Sequence, residues 1–129
     1  MRTVDVVTTD RGKFVVEISV GPHALCADEG TAVGGLDMGP EPHDFLLAGL
    51  GACTAMTLKM YAERKGLPLE DVQVKLSQQK VGDVHEMTRE ITLVGDLDEA
   101  TRQRMLEIAN KCPVHKTLMG KIEIKSALA

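Results

Sequence analysis

The order of periodic segments predicts an α+β fold. Three observations carry this reading: the first third alternates with a period of two, a long apolar segment between two prolines has helical ends, and the remainder alternates again around one more helical stretch. The predicted order is three strands, helix, two strands, helix, strand, within one domain spanning residues 1–129.

Each element has a local cause. Val4, Val6 and Thr8 alternate with Asp5 and Val7, and Asp10 to Lys13 supply turn chemistry. Phe14, Val16, Ile18 and Val20 share one face of a second strand, which Gly21-Pro22 breaks; a short third strand follows around Ala24 to Ala27. The glycine-rich run from Asp28 to Pro40 reads as a loop. Pro42 suits a first helical turn, Asp44 favours the positive end of the helix dipole, and Gly66 with Pro68 mark the stop. That gives a helix of about 23 residues, or ~34 Å. Ala48, Gly49, Gly51, Ala52 and Ala55 place small residues on every face, and each interior glycine costs about 1 kcal/mol relative to alanine. Such a helix is expected to be central and fully buried, with other backbone close by or a twin helix in a dimer.

Val72, Val74 and Leu76 then line one face of a strand, Gly82-Asp83 turns the chain, and Met87 to Leu97 returns antiparallel with Ile91 and Leu93 on one face. Asp98 is a good N-cap for a second helix, whose stripe runs Leu97, Thr101, Met105, Ile108 and ends at Cys112. Glu99, Arg102 and Glu107 read as its outward face. Pro113 stops that helix and opens a short new turn, and Ile122 and Ile124 alternate with charge in a last strand.

Bulk properties narrow the function. The formal net charge is −4 and aromatic residues make up 2%, with no Trp, so neither a basic face nor a stacking platform for nucleic acid is expected. The uncharged run Phe45 to Leu58 is shorter than the ~18 residues of a membrane span, and the first residues do not read as a signal peptide. A cytoplasmic chain with three cysteines is expected to use them for packing, metal binding or catalysis rather than as structural bridges. Cys112-Pro-Val-His115 resembles half a metal site, but without a second well-spaced pair no metal is expected.

Cys53 and Cys112 are the candidate working residues. A thiol must ionise before it attacks, and an ordinary cysteine is only about 3% thiolate at pH 7. Cys112 lies where free N–H groups of a new helical turn favour negative charge, whereas Cys53, in mid-helix, needs a cation brought by another segment. Taken alone, a buried Cys53 is more often mere packing, and Cys26 reads as structural.

Two longer motifs add to this. Gly39-Pro-Glu-Pro-His-Asp-Phe-Leu-Leu-Ala-Gly-Leu-Gly-Ala-Cys-Thr-Ala-Met-Thr-Leu58 and Lys111-Cys-Pro-Val-His-Lys-Thr-Leu118, with Gly95-Asp-Leu-Asp98 and Ala27-Asp-Glu29, resemble the OsmC/Ohr family of osmotically inducible and organic-hydroperoxide-resistance proteins. The resemblance implies an OsmC-like fold, antiparallel sheets wrapped around the long central helix in an intertwined homodimer. It implies Cys53 as the peroxide-attacking sulfur and Cys112 as the resolving one, with an organic hydroperoxide as substrate, a cellular dithiol as reductant, and no cofactor.

The family pattern adds an arginine held by a glutamate at the helix start. Here the glutamate position holds His43, and Asp44 is the nearest acidic equivalent; Arg11, in the first hairpin turn, is the nearest candidate arginine, with Lys13 as a substitute lacking the planar fork. His43 and His115 could supply a proton instead. The alternative is a redox-sensing or small-ligand-binding protein of the same fold with little turnover.

Overall fold

In the computed structural model, which describes all 129 residues, the chain folds into two compact units, Met1–Leu46 and Leu47–Ala129. The first holds an antiparallel sheet of β1 (Asp5–Thr8), β2 (Val16–Val20) and β3 (His23–Ala27), in that spatial order, with Ile18 opposite both Val6 and Leu25. The following loop is organised by Asp28, whose side chain is fully buried. Its carboxylate accepts the N–H groups of Glu29 at 2.8 Å, Leu36 at 3.0 Å and Met38 at 3.1 Å. Burial pushes its pKa up, but the three N–H groups outweigh this and hold it below the usual carboxylate value. The loop contains one 3₁₀ turn, Thr31–Val33, that its glycine content masked. Gly35 lies so close to the Glu29 carbonyl that no Cβ would fit.

Helix α1 (Pro42–Lys65) starts at the predicted proline. In the second unit it is followed by a two-stranded antiparallel hairpin, β4 (Leu69–Val81) and β5 (Val84–Gly95), turned by Gly82-Asp83 as the sequence predicts. Helix α2 (Glu99–Ala109) starts on Asp98, which accepts the Thr101 N–H at 2.8 Å, and α3 (Pro113–Met119) follows. Leu58 and Ala62 of α1 and Met105 and Ala109 of α2 form the buried cluster. Val72, Ile91 and Leu93 of the hairpin pack against it.

Four expectations need correction. Helix α1 is not fully buried within one chain: only Leu50, Gly51, Thr54, Leu58 and Ala62 are, a single stripe, while Met56 and Met60 are exposed. The hairpin and α2 pack on this stripe of α1. The stripe is tight at Gly51, where an added Cβ would meet a Leu76 methyl at 2.7 Å. By length and composition α1 would also cross a membrane, and its buried stripe carries Thr54 bonded to Arg89 of the hairpin.

Cys112 does not end the stripe of α2, which stops at Ala109; it stands beyond, at the start of α3. Ile122 and Ile124 do not form a strand: residues 121–129 have no regular structure and both side chains are exposed. Alternation supplies one apolar face, but a strand also needs a paired neighbour, and the chain provides none there. Arg102, read as outward, is half-buried and donates to the carbonyls of Leu93 at 2.9 Å, Gly95 at 3.0 Å and Leu97 at 3.2 Å, closing the link from β5 to α2.

Candidate active site

The site is built where α1, β5, the end of α2 and the start of α3 meet. Pro113 has no N–H and drives the residue before it out of helical conformation; Cys112 accordingly sits at φ −63°, ψ 143°. That geometry turns its fully buried Sγ back onto α3, where it accepts the His115 N–H at 3.4 Å. The thiol is the N-cap of the helix. On its other side Sγ lies 4.0 Å from the Thr54 hydroxyl, also fully buried.

Thr54 is the residue after Cys53. Cys53 itself is half-buried, and its Sγ lies 3.9 Å from the Thr57 hydroxyl one turn further along α1. Successive helical residues point about 100° apart, so Thr54 faces Cys112 while Cys53 lies beside it on the flank of the stripe. All three cysteines are free thiols.

The cation at this place is Arg89, which the sequence reading missed. Its guanidinium donates to Thr54 Oγ1 at 2.9 Å, to Asn110 Oδ1 at 2.8 Å and, at 3.2 Å, toward His115 Nδ1. Strand β5 delivers it: Arg89 pairs with Leu76 and alternates with exposed residues in the same parity as Met87, Ile91 and Leu93, all partly buried. A charge in the inward parity of an apolar strand was the signal available. Burial, and then the charge of Arg89, hold the His115 ring below its ordinary pKa of 6.5, which favours the neutral ring.

The other predicted residues lie in the first unit. Arg11 is exposed in the turn after β1, where its backbone N–H donates to Thr9 Oγ1 at 3.3 Å. Asp44 is exposed in the first turn of α1, and its carboxylate accepts the Glu41 N–H at 2.9 Å. That is the reach-back half of a capping box, a helix-start role. Cys26 is half-buried on β3.

An α+β chain with antiparallel sheets, a buried free thiol at a helix start and an arginine bonded to the threonine and histidine that contact this thiol defines a protein with a polar site built around a cysteine. Residues 34–127 match the family model described as OsmC-like protein. Among solved structures, an OsmC-like protein from Mycoplasma pneumoniae superposes with a TM-score of 0.80 at 16% identity, covering 93% of this chain and 88% of that one. An organic hydroperoxide resistance protein OsmC from Legionella pneumophila gives 0.69 at 17% identity, covering 93% and 90%. The organic hydroperoxide resistance protein OhrB of Bacillus subtilis gives 0.59 at 21%, covering 97% and 95%. No curated protein matches the chain in sequence. The chain belongs to the OsmC-like protein family, which includes the Ohr proteins.

Proposed function

We propose that the chain is a thiol peroxidase that reduces organic hydroperoxides to alcohols. The observation that carries this reading is the packing of Cys112 against the residue next to Cys53, beside Arg89, in a family whose fold is shared with organic hydroperoxide resistance proteins.

In this reading the Cys53 thiolate attacks the distal oxygen of the hydroperoxide. The O–O bond breaks, the alkoxide takes a proton and leaves as the alcohol, and Cys53 becomes a sulfenic acid. The sulfur of Cys112 then attacks the Cys53 sulfur, the S–O bond breaks, and water leaves with the thiol proton. The disulfide requires Cα atoms within about 4.4–6.8 Å. A cellular dithiol reduces it by exchange and is itself oxidised to a disulfide. No metal or flavin takes part. The setting is the reducing cytosol, where such a dithiol is available.

The resemblance assigns the assisting pair to Arg11 and Asp44. Because Arg89 is the cation bonded beside Cys112, Arg11→Gln is expected to lose less turnover than Arg89→Gln. The exposed face of α1 supports a homodimer: Met56 and Met60, 59% and 67% exposed, border an open apolar groove of about 460 Å³ with Ala55, Leu67 and Leu69. Light scattering should give twice the 14.0 kDa chain mass.

The test is peroxide consumption with added dithiol. Cys53→Ser should abolish it, and Cys112→Ser should allow one round and then over-oxidise at Cys53. If Cys53→Ser consumes cumene hydroperoxide as fast as the wild type, the peroxidase reading is wrong. Stoichiometric oxidation without cycling would select the redox-sensing alternative, which the complete burial of Cys112 favours.

A further inference from the structure

We propose that Arg89 is the positioning residue of the resolving step: it fixes the acceptor faces of Thr54, Asn110 and His115 around Cys112, so that this sulfur meets an oxidised Cys53 in one orientation. The inference rests on the peroxidase reading above and adds to it a residue that the family pattern does not supply.

The argument is an accounting of protons. A guanidinium has five N–H donors, no acceptor, and stays protonated in proteins, so every partner of Arg89 must accept. Thr54 Oγ1 accepts at 2.9 Å and gives its own proton to the Leu50 carbonyl at 2.7 Å. A hydroxyl has one proton and two lone pairs, so only a lone pair is left for Cys112 Sγ, 4.0 Å away. The Cys112 proton therefore points at Thr54, and the sulfur takes the His115 N–H at 3.4 Å on another side. The Asn110 side chain must present its oxygen to Arg89, and His115 must present the bare Nδ1, which puts the ring proton on Nε2. One side chain on β5 thus sets the rotamer, amide orientation and tautomer of three groups on α1, on the cap of α2 and on α3.

The consequence lies in the second half of the cycle. When Cys112 displaces hydroxide from the Cys53 sulfenic acid, forming S–S and releasing water, its sulfur must be aimed before the competing oxidation to sulfinic acid occurs. Losing Arg89 frees the second Thr54 lone pair, so the Cys112 proton is no longer held to one acceptor direction, and lets His115 sample both tautomers. Lysine keeps the charge but not the fork, so it should restore the function only in part.

The test uses the full-length chain with Arg89→Gln and Arg89→Lys. Reduced protein is mixed with one equivalent of cumene hydroperoxide; sulfenic acid is trapped with dimedone, and disulfide is counted by mass spectrometry. In Arg89→Gln, disulfide formation should slow about tenfold more than peroxide attack does, with more sulfinic acid at Cys53 and an intermediate result for lysine, since a hydrogen bond to a charged group is worth about a factor of ten. Nitrogen-15 NMR of the His115 ring should show the Nε2–H tautomer in the wild type and a mixture in Arg89→Gln, and the selective slowing of disulfide formation relative to peroxide attack is the readout that a purely structural arginine would not produce. Unchanged disulfide kinetics, or an unchanged tautomer, overturns the inference. If the wild type forms no sulfenic acid at all, the peroxidase reading fails instead, and the NMR comparison still decides the positioning role. Should Arg89→Gln not fold, Asn110→Ala at the exposed end of α2 removes one acceptor and should slow disulfide formation in the same direction by about threefold; no slowing there overturns the inference as well.

Discussion

Replacing Thr54 by valine isolates the one hydroxyl that joins the long helix to the half-buried Arg89. The β-branched shape is kept and only the oxygen goes. In the native chain that oxygen donates to the Leu50 carbonyl at 2.7 Å and accepts from Arg89 at 2.9 Å, in a residue with no exposed surface. The Leu50 carbonyl still accepts a backbone N–H within the helix, so its loss is small. Arg89 loses a charge-assisted bond worth about 1.5–3 kcal/mol. The extra buried methyl returns about 0.8 kcal/mol. Thr54→Val should therefore lower stability by about 1–2 kcal/mol, read as a shift of the urea midpoint at unchanged slope. A double-mutant cycle with Arg89→Met should give a coupling of about 1–2 kcal/mol, because the two side chains share the bond that each single change removes. A valine variant as stable as the wild type, or a coupling within about 0.3 kcal/mol of zero, would refute the claim that this contact holds the site together.

Three further outcomes follow from the same geometry. Gly35→Ala drives a Cβ into the Glu29 carbonyl and should open the loop held by Asp28, costing about 2 kcal/mol and removing hydrogen-exchange protection from the Leu36 and Met38 amides. Asp98→Ala removes the cap of α2 and should lower the thermal midpoint. The Thr101 hydroxyl first, and its N–H second, hold the Asp98 carboxyl below 3.8, so that stabilisation is present above the unfolded value and is lost as pH falls through the lower folded value. The gap between wild type and variant should close in acid. The His115 ring, held below 6.5 by burial and then by Arg89, titrates first in the unfolded chain; its contribution is full above about pH 6.5 and is lost as pH falls to the folded value. His115→Gln should accordingly flatten the fall in urea midpoint on acidification below pH 6.5.

What could be read from the sequence was whatever is decided within a few residues. Period-two alternation placed the five strands that form, though it also marked Ile122 and Ile124, which form none; Gly82-Asp83 placed the hairpin turn, Asp98 the cap of α2, and Pro113 the break that leaves Cys112 at a helix start. The coverage of α1 was not legible, because small residues on every side leave the helix with no preferred face. Which stripe is buried is decided by Leu76, Met105 and their neighbours, all distant in sequence. The search for a cation passed over Arg89 for a related reason. It sought an arginine in the place the family pattern suggested and settled on Arg11, an exposed turn residue. Arg89 was passed over as one charge among the alternating polar residues of a strand. Its parity says otherwise, since every second position from Met87 to Leu93 is partly buried and Arg89 is the only charge among them. Arg89 is half-buried there, and the part of a guanidinium taken out of water costs free energy unless acceptors lie close by. Thr54, Asn110 and His115 meet that demand from three separate segments, and each looks ordinary on its own. A charged residue in the inward parity of an otherwise apolar strand is thus a sequence-level pointer to a polar site, and here it points to the turn of α1 that carries Cys53.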